Sequence, residues 1–166
     1  MPLIRARKPN YSIPKKQSGF SLIEVMVTAV ILSSSMLGIA QLQATAMKNT
    51  HDSHFRTTAN TLAYEIVDRM RANRTISSTT TNYDIDIGDD VSASNCESGT
   101  CSPAQMAVYD IEAWKYLLDA NLPNGDGAID VTVGTTGAEI TVTVQWQDND
   151  SDGERNTYSL NISTLL

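Results

Sequence analysis

One acid inside a long apolar run is the residue of this 166-residue chain most able to do chemistry. From Phe20 to Ala40 the sequence holds a single charge, Glu24, with one glycine and no proline. That is about the 20 residues a helix needs to cross a bilayer. A carboxylate near the centre of such a helix costs about 2.5–3.5 kcal/mol, and less toward the interface. Glu24 therefore calls for a compensating cation.

Two other groups of residues have ligand or redox chemistry. Cys96 and Cys101 are the only cysteines and enclose a short loop. In an oxidising compartment that spacing favours a disulfide. A zinc site is the alternative, with His51 and His54 as further ligands, but the chain lacks the C-x2-C arrangement typical of such sites. Asp148-Asn-Asp150-Ser-Asp152-Gly153 matches the opening of an EF-hand loop and offers Asp148, Asp150 and Asp152 to calcium. The bidentate glutamate of that motif is missing, since Ser159 stands at the twelfth position, so a solvated acidic turn is the preferred reading. No metal or cofactor is expected. Neither a Ser-His-Asp arrangement nor a phosphate loop is visible, and no enzyme is expected.

The elements that must position these residues follow from composition and period. At 41% hydrophobic and 19% charged, the chain falls among ordinary folded proteins, with length for about one soluble domain plus an anchor. Residues 1–19 hold five of the twelve Lys and Arg, namely Arg5, Arg7, Lys8, Lys15 and Lys16, and none of the nineteen Asp and Glu. The positive-inside rule keeps that end in the cytoplasm and carries the remainder outward. Seven basic against nineteen acidic residues then leave a body of net charge −12, which disfavours direct nucleic-acid binding. Residues 1–14, with Pro2, Pro9 and Pro14, show no apolar period.

Past the apolar run, Phe55, Ala59, Leu62, Ile66 and Met70 lie on one stripe, which Ala63 and Val67 widen. Asp52, Arg56, Asn60, Glu65, Asp68 and Arg69 supply the polar face, with His51 and His54 facing solvent. No proline interrupts Phe20 to Asn73, so one long helix is expected, weakest at Ser33-Ser34-Ser35 and Gly38. A bend or local melting there in an assembled filament is a further expectation. Thr75 to Asn95 reads as a loop, with one short edge strand at Tyr83–Ile87. Ser102-Pro103 opens a second helix, whose Ala107, Ile111, Trp114 and Leu118 share a face with Leu117 beside them, and which ends near Asn121. Leu122–Gly127 is a turn.

Three antiparallel strands follow. Their apolar rows are Ile129, Val131 and Val133; then Ile140, Val142, Val144 and Trp146; then Tyr158, Leu160 and Ile162. The expected loops are Gly134–Gly137 and Asp148–Asn156. The fold class is α+β: a long N-terminal helix packed on a small antiparallel sheet with one additional helix.

Gly19-Phe20-Ser21-Leu22-Ile23-Glu24-Val25 resembles the prepilin signature of the type IV pilin superfamily. The resemblance implies cleavage between Gly19 and Phe20 by prepilin peptidase, N-methylation of Phe20, and a pairing of Glu24 with the terminal amine of a neighbouring subunit during assembly. It divides the chain into a leader (1–19), a membrane and filament-core helix (20–47), its amphipathic continuation (48–74) and a periplasmic or extracellular globular domain (75–166). An ordinary signal peptide cut at Ala44-Thr45-Ala46 would not carry a glutamate in its core. A plain membrane anchor would not explain the spacing from Gly19 and Phe20 to Glu24.

Leu62–Asn73, the cysteine pair, Asp110–Trp114, Leu122–Gly125 and Val144–Trp146 further resemble the type IV pilus modification family of minor pilins. The anchor lacks the proline, and the C-terminus the disulfide, usual in major pilins. The resemblance implies a low-abundance subunit in the inner membrane, single-pass with its N-terminus inside, and then in the pilus at the cell surface. Its partners would be other minor pilins and the major pilin, and its work would be to prime assembly at the tip in support of twitching and adhesion. A minor pseudopilin of type II secretion and a tip adhesin are the rival readings.

Overall fold

The helical period that begins at Leu22 does not break until Ala72. In the computed structural model, which describes residues 19–93, 96–135, 137–149 and 154–166, this stretch is one 51-residue helix, α1 (Leu22–Ala72). It is continuous through Gly38. The serine run does not open it, because its hydroxyls donate to the helix's own carbonyls: Ser33 to Ala29 at 2.7 Å, Ser34 and Ser35 to Ile31 at 2.9 and 3.0 Å. Glu24 lies in the first turn and Arg69 and Arg71 in the last, so each end carries the charge its dipole favours.

The chain divides into two compact units, Met1–Thr45 and Ala46–Leu166. In the first, the apolar side chains of α1 are exposed. In the second, Phe55, Ala59, Leu62, Ala63, Ile66, Val67 and Met70 are all buried, so every residue of the expected stripe reaches the core.

A short helix, α2 (Arg74–Ser77), follows where a loop was expected. The chain tightens there because the Ser77 hydroxyl, fully buried, donates to the Met70 carbonyl at 2.7 Å and closes the end of α1. The expected strand at Tyr83–Ile87 reduces to one bridge, Ile85 with Ile129.

Helix α3 (Pro103–Asn121) starts on a capping box. The Ser102 hydroxyl accepts from the Gln105 amide, and the Gln105 side chain accepts from the Ser102 amide at 2.9 Å, with proline in the first turn. Trp114, completely buried, donates its indole N–H to the Leu62 carbonyl at 2.9 Å and so ties α3 to α1. Asn124, in the left-handed region at φ 47°, turns the chain from α3 into the sheet.

The sheet is a meander in the order β1 (Asp126–Val133), β2 (Ala138–Asn149), β3 (Arg155–Leu165). Its register aligns Gly127 with Val144 and Leu160, and Ile129 with Val142 and Ile162. The central row of β2 is buried, whereas Tyr158, Leu160 and Ile162 on the edge strand are half-buried against it. Two strand expectations change. Val133 is 44% exposed, since its alternation runs on past the area the core covers. The second hairpin also reaches further than expected: Asp148 pairs with Asn156 and Asn149 with Arg155, so those residues are ladder and not loop.

Gly127 owes its identity to a close approach. A Cβ there would run into the Trp114 ring and come within 2.8 Å of Leu118 Cδ1. Gly127→Ala should therefore destabilise the head by about 1–3 kcal/mol, the usual range for overpacking. Urea unfolding of the detergent-solubilised chain, followed by tryptophan fluorescence, measures it; an unchanged midpoint would contradict the packing described.

Candidate functional site

At the start of α1 the sequence's reactive elements are contiguous. Gly19 and Phe20 are exposed and precede the helix, and the Ser21 carbonyl accepts from the amides of Glu24 and Val25 at 3.0 and 3.3 Å. This first turn sets the acid one helical turn from Phe20. Phe20 is 85% exposed, and large apolar side chains stand open around the helix from Leu22 to Met47. A helix apolar on all sides needs bilayer or other helices around it. Among the described residues, α1 alone is long and apolar enough to cross a membrane. Among the described residues a Cβ at Gly19 would meet nothing within 4 Å, so no packing among them demands glycine there.

Cys96 and Cys101 form a disulfide, with Cα atoms 5.7 Å apart. Paired sulfurs are not zinc ligands, which removes the four-ligand alternative with His51 and His54. Both histidines are exposed on α1, each edge-on to Phe55, at 4.4 and 6.1 Å between ring centroids. Of the acidic residues proposed for calcium, Asp148 is in β2, paired with Asn156, and Asp150 and Asp152 lie outside the described residues.

The head also holds a polar network that sequence reasoning did not assemble. Asp110 on α3 is 6% exposed and accepts from the Tyr83 hydroxyl at 2.7 Å and from Arg69 at 3.4 Å. Arg69 also pairs with Glu65 at 2.7 Å. The Asn73 amide donates to the Tyr83 hydroxyl at 3.1 Å and to the Pro103 carbonyl at 2.7 Å. The end of α1, the connector and the start of α3 meet at these groups. On the far side of α3, Lys115 donates to the carbonyls of Asp86 and Asp89 at 2.9 and 2.7 Å and pairs with Asp126 at 3.1 Å, pinning the rest of the connector. The helical pattern of Asp68–Asn73 was readable, but its partners lie 10 and 41 residues away.

Burial would lower the Arg69 guanidinium, but the carboxylates of Glu65 and Asp110 outweigh it and hold it above its ordinary value. Burial pushes the Tyr83 phenol up as well; its bond to Asp110 adds to this and the Asn73 amide opposes it.

An exposed glycine–phenylalanine junction, an acid in the first turn of an apolar helix, and a head of two helices on a three-stranded meander define a filament-subunit architecture. Residues 14–40 match the model of the prokaryotic N-terminal methylation motif, and residues 41–112 match the Tt1218-like family, described as type IV pilin Tt1218. The matched segments abut and span more than half of the sequence, and the chain belongs to the type IV pilins. No curated protein and no solved structure matches it.

Raised in the folded state, the Tyr83 pKa links stability to alkaline pH. An unfolded tyrosine ionises near about pH 10. Above that, the unfolded chain releases a proton that folded Tyr83 keeps, so stability is present below pH 10 and falls as pH rises. Tyr83→Phe should lose about 1–3 kcal/mol at neutral pH, because Asp110 forfeits a buried donor. It should also flatten the decline between about pH 9 and 11. Thermal melts of both forms across that range test the assignment, and parallel pH curves would refute it.

Proposed function

We propose that this chain is a minor pilin of the PilV, or type IV pilus modification, kind, a subunit that joins other minor pilins to prime pilus assembly and sits at the tip. One observation carries the reading: Glu24 is the only charge of the apolar stretch Phe20–Met47 and stands one turn from the Gly19–Phe20 junction. Prepilin peptidase cuts at that junction, and the open space around Gly19 supports a glycine selected by the peptidase and not by the fold. Cleavage creates a cationic amine at Phe20. In a bundle of such helices offset along their axes, the amine of one subunit meets Glu24 of the next, and the pair offsets the cost of a carboxylate away from water.

Before assembly, α1 anchors the subunit in the inner membrane, with residues 1–19 in the cytoplasm and the head in the periplasm. Partners are chosen by the Phe20–Met47 surface: other minor pilins and the major pilin. Twitching and adhesion depend on this subunit through the filament, and it catalyses no reaction. The absence of proline between Phe20 and Asn73 supports the minor class. The −12 body argues against a DNA receptor.

Mass spectrometry of the protein from cells with active prepilin peptidase should find a mature chain beginning at methylated Phe20. Glu24→Ala should fold its head normally, yet co-purify with the other minor pilins at least about tenfold less, the equivalent of about 1.4 kcal/mol. A retained leader or unchanged co-purification would sink the reading. A gene deletion that blocked exoprotein secretion while leaving twitching intact would assign the chain to a type II secretion pseudopilin instead.

A further inference from the structure

At the end of the β2–β3 hairpin where Asp148 pairs with Asn156, three ligand atoms converge on α1. One each from His51, Asp52 and Asp148, they lie within 4.8 Å of one another. His51 is exposed, and Asp52 and Asp148 are partly buried. Two elements remote in sequence supply them. Consecutive helix residues point about 100° apart, so the side chains of His51 and Asp52 share a third partner only because β2 delivers Asp148 to them. The ladder that pairs Asp148 with Asn156 fixes its backbone. The imidazole stands edge-on to Phe55, itself 8% exposed, which gives His51 a firm base at 4.4 Å.

The surroundings brace the same convergence. Asp52 and Asp148 line one small cleft with Arg56, Trp146 and Tyr158, and Asp148 lines a second with His51, Phe55 and Arg155. Trp146 stacks on Tyr158 with ring centroids 6.0 Å apart, and the Arg56 guanidinium lies 5.9 Å over the Tyr158 ring. Asp148 thus stands between two open clefts, through which an ion and its waters can enter.

We propose that His51, Asp52 and Asp148 form a site for a divalent transition-metal ion, with zinc the best match. One imidazole nitrogen and two carboxylate oxygens make a mixed donor set suited to a borderline ion that accepts three protein ligands and keeps a water in the fourth position. Calcium takes six to eight oxygens and has no use for the imidazole. The ion would staple helix α1 to the hairpin end of the sheet. This proposal stands apart from the pilin reading, since it needs only the geometry of residues 46–166.

The test is a zinc chloride titration of the full-length chain in detergent, stripped beforehand with EDTA and followed by calorimetry and thermal melting. The expected result is one saturable site and a melting temperature that rises with zinc, because the ion binds the folded form. Loss of an outer-shell partner typically costs about 10–100-fold in metal affinity, and loss of a ligand at least as much. His51→Gln and Asp148→Asn should each therefore weaken binding by about tenfold or more, with His54→Gln within about twofold of the parent. Asp148→Asn is the decisive variant, since its side chain comes from the sheet and the substitution preserves its size. Absence of saturable binding overturns the proposal. So does equal loss in His51→Gln and His54→Gln with none in Asp148→Asn, which would mark a simple histidine pair on the helix surface.

Discussion

The structure depends on a helix whose apolar surface exceeds what its own chain can cover. Fourteen large apolar side chains between Phe20 and Met47 are exposed. Each is worth about 1.5–3 kcal/mol when fully buried. Carrying Glu24 with them costs about 2.5–3.5 kcal/mol at most. Even modest burial of that surface outweighs the single acid several-fold. The carboxylate therefore does not decide whether α1 enters an apolar phase. On the proposed reading it instead selects among neighbours once there, because a neighbour that presents a cation recovers the cost.

Head and anchor solve different problems along one helix. In residues 46–166 the apolar stripe is covered by the chain itself, and the joints between elements are polar. Trp114 bonds a helix carbonyl at Leu62, Asn73 bridges Tyr83 and Pro103, and Lys115 holds two connector carbonyls. Hydrogen bonds fix direction where apolar contact does not, so these joints determine how α3 and the connector seat on α1. The disulfide at Cys96–Cys101 closes the connector just before the Ser102 cap, which limits the freedom of the chain entering α3. Fixing a loop in this way acts mainly by reducing the freedom of the unfolded chain.

Legibility follows the range of the interactions. The Phe55–Met70 stripe, the Ser102-Pro103 start and the alternation of β2 are set by neighbours within a turn or a strand, and the sequence announces them. The junction at Gly19–Phe20 and the acid at Glu24 were equally plain, because the apolar run isolates them. Helix α2 was not, since its closing bond runs from Ser77 back to Met70 and looks like ordinary loop composition. Nor was the meeting of Arg69, Tyr83 and Asp110, or that of His51 and Asp148, for both need the tertiary fold to bring distant residues together. Val133 shows the opposite error: strand alternation is local, but burial requires something to cover it, and nothing local says where the covering ends.

The division of charge gives these observations a common physical sense. All of the acidity lies beyond residue 19, and all but one of the acids lie beyond the apolar run. The body beyond that run, with seven basic and eighteen acidic residues, has net charge −11 and repels copies of itself in water, within about a Debye length of 8–10 Å at physiological salt. On the proposed reading, association is driven where that repulsion is weakest and the apolar area greatest, along Phe20–Met47. A positive amine next to Glu24 would then add a short-range attraction that a basic leader, spread over residues 5–16, could not focus on one atom. Removal of the leader would thus do more than shorten the chain: it would replace five diffuse charges by one, a single helical turn from Glu24.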